Sequence, residues 1–305
     1  MKQFTLIVFL ITLSACATPT PPPTPTANVS AILTVTAPHQ PTSAVAQSAS
    51  GGASPSVRPL VVAHRGGAAL APENTLAAFE NAIQLGVDMV ECDVHLSKDG
   101  ELIVMHDPNV STTTNGVGQI SNLPLADLKK LNAAAKFAGG YAPQTIPTLG
   151  ELLDLVKGKV DIQIEIKNAA GGGRYAGIEK QVVDAVNSRG MTNNVIIISF
   201  DFGVLKDVQA IDPRIKTGAL VRADWFQTRS PEKSIADAVE QTGAAYFMPT
   251  AGPVTQAIVN AAHARGIKMG VWTVDAESDM KRYSGYGIDA LTTNRPDLLQ
   301  RVLEK

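Results

Sequence analysis

LVVAHRGGAALAPENT, residues 60–75, is the stretch that decides the fold, together with MVECDV at 89–94. It begins with a short apolar strand, Leu60 to Ala63, and ends in Pro-Glu-Asn-Thr, a pattern typical of the start of a helix. From here to the end of the chain, strand-like and helix-like segments alternate. This alternation predicts an α/β protein.

Eight segments have the length and apolar character of strands: 60–63, 89–94, 162–167, 195–200, 217–221, 245–249, 269–274 and 289–294. Amphipathic stretches lie between or after them, and eight strand-helix units over residues 58–305 match the arithmetic of a (β/α)8 TIM barrel. A doubly wound open sheet remains the alternative, because periodicity does not give strand order. Residues 102–105 follow the hairpin signal Asp99-Gly100, and we expect 107–147 to be an insertion after the second strand.

The N-terminal residues have the layout of an export signal. Residues 1–15 carry one cation, Lys2, then an apolar run and small residues. Leu13-Ser14-Ala15-Cys16 resembles the lipobox of bacterial lipoproteins, in which the cysteine becomes the lipidated mature N-terminus. We therefore expect an exported protein held at a membrane of the cell envelope through Cys16; the alternative is a plain secreted protein.

Residues 17–57 contain no Asp, Glu, Lys or Arg and are dominated by Pro, Thr, Ser and Ala. Such a composition does not build a core, so residues 16–57, with Cys16 at their start, are expected to form a disordered tether. A proline-rich recognition ligand is the alternative. The formal net charge of −2 and the 5% aromatic content argue against nucleic acid as a partner.

Polar residues stand at the predicted carboxyl ends of the first three strands, where a TIM barrel places its chemistry. His64 and Arg65 follow the first strand, and two further pairs lie on the second and third strands: Glu91 with Asp93, and Glu165 with Lys167. Residues two apart on a strand share a face, so the carboxylates converge. Converging carboxylates supply only oxygen ligands, which favour Ca²⁺ or Mg²⁺ as the bound ion. Any one of these carboxylates, taken alone, could instead be a salt-bridged barrel residue.

Several linked motifs then occur in order: HRGGAALAPENT, ECDVHLSKDGELIVMHDPNV, TTNGVGQISNLPLADLKKL, IPTLGELLDLV, IEIKN, VWTV and TTNRPD. With these motifs the chain resembles the glycerophosphodiester phosphodiesterase family over essentially all of 58–305. The resemblance implies a TIM barrel with an insertion after the second strand. It also implies a small-molecule substrate, a deacylated phospholipid such as glycerophosphocholine, which is cleaved to glycerol 3-phosphate and an alcohol.

The resemblance also implies roles for individual residues. These are acid–base catalysis by His64 and His106, divalent-metal binding by Glu91, Asp93 and Glu165, phosphate binding by Arg65 and Lys167, and glycerol contact by Trp272. The family mechanism suggests attack by the neighbouring hydroxyl of the glycerol, which gives a cyclic phosphate that water opens. Which histidine takes the first proton stays open.

Two other functions remain possible at this point: lysophospholipase D activity on an intact acyl chain, and a surface lipoprotein that binds glycerophosphodiesters without turnover. An apolar acyl channel at the barrel mouth would indicate the former. Cys92 and His95 are expected to be structural and to point away from the carboxylates, and Phe200 is expected either to wall the pocket or to belong to the core.

Overall fold

The structure, a computed structural model, describes residues 58–304. The predicted signal segment, Cys16 and the predicted tether lie outside these residues. Nine strands form one sheet: β1 Leu60–Ala63, β2 Met89–Leu96, β3 Leu102–Val104, β4 Asp161–Ile166, β5 Val195–Ser199, β6 Lys216–Val221, β7 Tyr246–Pro249, β8 Lys268–Val271 and β9 Ala290–Thr293.

The helices are α1 Leu76–Leu85, α2 Leu125–Leu128, α3 Leu149–Val156, α4 Ile178–Asn187, α5 Phe202–Ile211, α6 Pro231–Thr242, α7 Gln256–His263, α8 Glu277–Gly285 and α9 Pro296–Leu303. All of them except the short α2 cover the outside of the sheet. Several begin as the sequence predicts. Thr75 of the PENT motif caps α1 by accepting a hydrogen bond from the Ala78 amide. Among the residues described, no helix combines the length and apolar character needed to cross a membrane.

The sheet closes on itself because β1 pairs in parallel with both β2 and β9. Every strand pairing is parallel except that of β2 with β3, which gives a closed barrel of eight parallel strands. The predicted TIM barrel is therefore confirmed, and closure excludes the doubly wound sheet. β3 pairs antiparallel with β2, as the hairpin signal predicts, and Val104 lies opposite Val94.

Strand alternation divides the apolar residues into two sets. Even-numbered residues of β2 and β4, such as Cys92 and Ile164, pack against the helices in the main core. On β5 the odd-numbered residues face the helices instead, so Ile197 packs in the main core while Ile198 packs inside the barrel. Odd-numbered residues of β2 and β4, including Glu91, consequently face the interior. This alternation delivers the polar side chains to the barrel mouth.

The segment 107–147 packs on its own small apolar cluster, which includes Val110, Ile120, Leu128 and Ile146. Ile103 of β3 belongs to the same cluster and is fully buried. The hairpin strand therefore ties this segment to the rim of the barrel next to β2. His106 stands at the junction, two residues after the end of β3.

Candidate active site

A pocket of about 200 Å³ opens at the carboxyl ends of the barrel strands. Seven of the residues predicted from sequence line it: His64, Arg65, Glu91, His106, Glu165, Lys167 and Trp272. The eighth, Asp93, is buried beside Glu91. The structure thus brings together all the predicted site residues within the part of the chain that it describes.

Glu91, Asp93 and Glu165 form a compact group, with one carboxylate oxygen from each lying within 4.8 Å of the others. Burial, and then repulsion from Asp93 and Glu165, raises the pKa of Glu91 well above its usual value. Burial also raises the pKa of Glu165 to about 7, although Lys167 opposes the shift. Three buried carboxylates at this distance favour a hard cation, because it would remove the repulsion and replace lost solvation.

Asp93 behaves differently within the same group. Burial favours its neutral form, but Lys167, His106 and Arg65 together hold the pKa of Asp93 below its usual value. Lys167 Nζ lies 3.3 Å from Asp93 Oδ1 and 2.8 Å from Glu165 Oε1. Asp93 Oδ1 accepts no hydrogen bond in the described structure, so an oxygen suited to a metal remains available.

The turn after β1 positions both a cation and a metal-binding candidate. Arg65 adopts a left-handed conformation (φ 51°), and its backbone N–H donates to Glu91 Oε2 at 2.9 Å. Gly66 follows with φ +83°, and a Cβ there would lie 2.7 Å from the Cβ of Ala78 in α1. Only glycine allows this approach, so the HRGG motif fixes the turn against α1.

The Arg65 side chain is held between two carboxylates. Its Nη1 donates to both oxygens of Glu73, at 3.0 and 3.1 Å, and its Nε lies 3.5 Å from Asp93 Oδ2. Asn74 contacts the same aspartate, because its Nδ2 donates a hydrogen bond to Asp93 Oδ2 at 2.9 Å. The backbone of Asn74 has a φ of 57°. Asn74 tolerates this left-handed conformation better than most residues. The PENT motif therefore both starts α1 and positions Asp93.

A chain of hydrogen bonds fixes the ring of His64. Asn294 Nδ2 donates to the carboxylate of Asp275 at 2.7 Å, which turns Asn294 Oδ1 toward His64 Nδ1 at 2.7 Å. Since that oxygen only accepts, Nδ1 carries the proton and Nε2 of the neutral ring carries the lone pair. Nε2 lies 4.0 Å from Glu91 Oε2. Burial, and then the charge of Arg65, lowers the pKa of His64 to about 4.

His106 has a different partner. Its Nδ1 lies 2.9 Å from Asp107 Oδ1, so this ring is backed by a carboxylate instead of an amide. His95 supports it from below, with Nε2 donating to the His106 carbonyl at 3.0 Å and Nδ1 contacting the Tyr175 hydroxyl at 3.0 Å. Burial lowers the pKa of His95 to about 4, so its ring is neutral at neutral pH.

The expectation that His95 points away from the carboxylates is wrong. It lies two residues beyond Asp93, and alternation places both on the same face of β2. Cys92 is structural as expected: it is buried among the apolar residues between barrel and helices.

The wall of the pocket opposite the carboxylates is apolar and aromatic. Trp272 Nε1 donates to the Met248 carbonyl at 2.8 Å, which fixes the indole. Phe200 meets Trp272 edge to face, with 5.4 Å between the ring centroids. Phe200 is thus a wall of the pocket, packed against the apolar cluster inside the barrel.

Sequence reasoning gave no role to Asn294, Asp275, Asp107 or Gln163. Asn294 belongs to the TTNRPD motif and Asp107 follows His106, so their motifs carried a signal. Gln163 lies two residues before Glu165 on β4 and so shares its face of the strand. Both of its side-chain polar atoms are buried and have no hydrogen-bond partner in the part of the chain that the structure describes. Asp275 follows the predicted strand 269–274 in a loop, where no periodicity indicates its partner.

A closed (β/α)8 barrel with histidines, carboxylates and cations at its carboxyl mouth defines a TIM-barrel hydrolase site suited to anionic substrates. Residues 64–298 match the model of the Glycerophosphoryl diester phosphodiesterase family. The chain therefore belongs to this family and is a phosphoric diester hydrolase by class.

Individual relatives agree with this assignment. The chain is 35% identical over 254 residues to a glycerophosphodiester phosphodiesterase of Caldanaerobacter subterraneus subsp. tengcongensis, covering 82% of this chain and 99% of the relative. An Oleispira antarctica phosphodiesterase, solved in complex with the product sn-glycerol-3-phosphate, is 29% identical with a TM-score of 0.70, covering 81% of this chain and 98% of that one. A Thermotoga maritima glycerophosphodiester phosphodiesterase is 27% identical with a TM-score of 0.65, covering 81% and 99%.

Proposed function

We propose that this chain hydrolyses glycerophosphodiesters to glycerol 3-phosphate and an alcohol, with a divalent cation and with His64 and His106 as the acid–base pair. One observation carries the proposal: both histidine rings line the pocket that also contains the three-carboxylate group and two cations. Each ring has Nδ1 engaged by a partner, which leaves Nε2 for proton transfer.

Glu91, Asp93 and Glu165 would hold Ca²⁺ or Mg²⁺, since their oxygens are close enough to share one ion. When bound, such a cation stabilises the negative charge that develops on the phosphoryl oxygens. Arg65 and Lys167 line the same pocket and add fixed positive charge for a phosphodiester anion.

The hydrogen-bond partners of the two rings support one order of proton transfer. The neutral amide of Asn294 holds His64 with its Nε2 lone pair free. Burial lowers the pKa of His106, but the charge of Asp93 and the hydrogen bond with Asp107 oppose that shift and favour a protonated ring for the first step. In the first step, His64 takes the proton of the glycerol hydroxyl neighbouring the ester. That oxygen bonds to phosphorus, the bond to the alcohol breaks, and His106 donates its proton to the departing oxygen.

The second step reverses these roles. His106, now neutral, takes a proton from water, and the water oxygen attacks the cyclic phosphate. The ring bond to the attacking glycerol oxygen breaks, and protonated His64 returns its proton to that oxygen. Both histidines finish in their starting states, and glycerol 3-phosphate is released.

The deep end of the pocket suits the glycerol. Gln163 and Thr292 line it with buried side-chain polar atoms that have no hydrogen-bond partner within residues 58–304. Buried unpaired polar groups are costly, so hydroxyls of a ligand are their natural partners. Trp272 and Phe200 cover the apolar side of the same space.

The test is release of glycerol 3-phosphate from glycerophosphocholine, measured with Ca²⁺ or Mg²⁺, after EDTA, and after restoring the cation. We expect turnover that EDTA abolishes and the cation restores, and trapping of a cyclic glycerophosphate in rapid-quench samples. Binding without release from any glycerophosphodiester would favour the non-catalytic lipoprotein. Release only from lysophospholipids would favour the lysophospholipase D activity.

We also propose that Cys16 is lipidated and that the enzyme is exported and anchored to a membrane of the cell envelope. The Leu13-Ser14-Ala15-Cys16 sequence behind the apolar run supports this. Mass spectrometry of the mature N-terminus would show a diacylglyceryl cysteine. A Cys16→Ser chain should lose that modification and its partition into detergent, and an unmodified wild-type N-terminus would contradict the proposal.

A further inference from the structure

We infer that Arg222 binds an anionic group on the alcohol part of the substrate, so that the enzyme prefers glycerophosphodiesters whose alcohol carries a carboxylate or a phosphate. Arg222 directly follows β6 at the mouth of the barrel and lines the active-site pocket. The inference rests on the proposed function and names a substrate class for the same site.

Arg222 is a cation with no counter-ion among the described residues. Its guanidinium carbon lies 4.1 Å from the centroid of the Phe200 ring, and its side chain makes no ion pair or hydrogen bond within 58–304. A guanidinium stacked on an aromatic face keeps the N–H donors at its edge free, in the fork that suits carboxylate and phosphate. Arg229 provides the contrast: it stacks on Trp225 at 3.8 Å, but its Nε donates to Asp237 at 2.9 Å.

The position of Arg222 places it on the path of the alcohol. A groove of about 690 Å³ adjoins the active-site pocket, and Phe200, Leu220 and Arg222 line both. The pocket itself is only about 200 Å³. With the glycerol at the unpaired groups of Gln163 and Thr292, the other ester oxygen of the phosphate points outward. The alcohol therefore extends past Arg222 into the groove.

The opposite side of the mouth offers no comparable contact. A second depression adjoins the pocket at His64 and Arg65, but its charged side chains are engaged by protein partners: Arg65 with Glu73, Asp275 with Asn294, and Arg295 with Asp297. An anionic alcohol would gain no free donor there. The groove beside Arg222 is thus the favoured direction.

Two carboxylates also line the groove. Asp201 accepts hydrogen bonds from the Gly203 and Val204 amides at the start of α5, so its charge is already compensated. Asp224 has no side-chain partner in the described structure. It would face an ammonium group where the alcohol carries one in addition to its acid group.

The experiment compares kcat/KM for four diesters on the full chain: glycerophosphoserine, glycerophosphoglycerol phosphate, glycerophosphoglycerol and glycerophosphocholine. We expect wild type to prefer the two anionic alcohols over neutral glycerophosphoglycerol. In Arg222→Gln this preference should fall about three- to tenfold, mainly through KM, because one exposed charge-assisted contact is lost. Arg222→Lys should retain part of it.

Lys216→Gln is the matched control. Lys216 begins the strand that Arg222 follows and lies at the opposite end of the barrel, roughly 20 Å away. The Lys216→Gln substitution therefore removes the same charge, but far from the mouth. At that distance screening by salt removes its influence on the mouth. Equal preferences in wild type and Arg222→Gln, with all four diesters cleaved, would overturn the inference alone. No cleavage of any diester by wild type would instead overturn the proposed function.

Discussion

The two sides of the pocket are built in different ways. On the side of β1, β2 and β4, charged side chains are held by specific partners, as Arg65 is by Glu73 and Lys167 by Glu165. On the side of β5 to β8, the wall consists mainly of apolar side chains that are placed by packing, such as Phe200, Leu220 and Met248, and the cation Arg222 lies at its rim.

Because of this difference, we expect the charged side to determine the rate of the reaction and the apolar side to determine substrate affinity. Each charged group changes the protonation of its neighbours, so its loss is felt by the reacting atoms. An apolar wall contributes contact area that is similar before and during the reaction, so its loss is felt mainly in binding. The predictions below test that separation, from the largest expected effect to the smallest.

Replacement of either histidine should have the largest effect. His64→Ala or His106→Ala should lower kcat for glycerophosphocholine by about 10²–10⁴-fold, because a proton-transfer group is lost. His263→Ala is the control, since His263 on α7 contacts Asp289 on the outside of the barrel. Steady-state rates and melting temperatures check this; a loss of less than tenfold in both variants would contradict the acid–base roles.

Glu91→Gln should weaken metal binding and stabilise the metal-free protein. Because burial and repulsion raise the pKa of Glu91, its charge destabilises the folded state above pH 5, and a neutral isostere removes that cost. We expect the cation concentration for half-maximal turnover to rise about 10- to 100-fold. Titration with Ca²⁺ or Mg²⁺ and melting in EDTA test both effects.

Exposed Glu101 supplies the control for that change, as Glu101→Gln also removes one carboxylate. Two results would contradict the assigned role of Glu91. One is an unchanged metal dependence, and the other is a lower melting temperature of Glu91→Gln in EDTA.

Asn294→Ala should have a smaller effect, about tenfold on kcat, because one hydrogen bond that orients His64 is lost while the ring remains. KM should change little. Asn294→Asp keeps an acceptor for His64 Nδ1 and should retain more activity than Asn294→Ala. Full kcat in the alanine variant would show that the ring is oriented without this partner.

Trp272→Leu should have the smallest effect and a different character. We expect KM to rise about three- to tenfold with kcat within twofold, since the wall loses contact area but no charge. Trp272→Phe keeps a ring while removing the hydrogen bond to Met248, so it separates packing from indole orientation. A large fall in kcat with unchanged KM would break the division between the two sides.

Much of the charged side was predictable because its residues obey short-range rules. The spacing of Glu91 with Asp93 and of Glu165 with Lys167 follows strand alternation, and His64 follows a recognisable strand. The same alternation applied to His95 would have placed it correctly. The eight barrel strands were likewise predicted, with ends that differ from the observed ones by at most three residues.

The partners of those residues were not predictable, because they are distant in the sequence. Asn294 and His64 are 230 residues apart, and Asp275 reaches the pair from another loop. On the apolar side, Phe200 and Leu220 have the composition of core residues, and only the closed barrel shows that they line a pocket. The absence of a partner for Arg222 among the described residues can be recognised only when the positions of all its neighbours are known.

Closure of the barrel by β1 and β9 makes the site depend on two segments that lie far apart in the sequence. Leu60 pairs with Ala290, and His64 contacts Asn294, so the first described strand reaches its final pairing only when the last one has formed. A chain that ends before residue 290 would contain the three carboxylates and both histidines. Its barrel would be open, and His64 would lack its hydrogen bond to Asn294. The proposed activity therefore depends on β9, because this strand closes the barrel and Asn294, which follows it, holds His64.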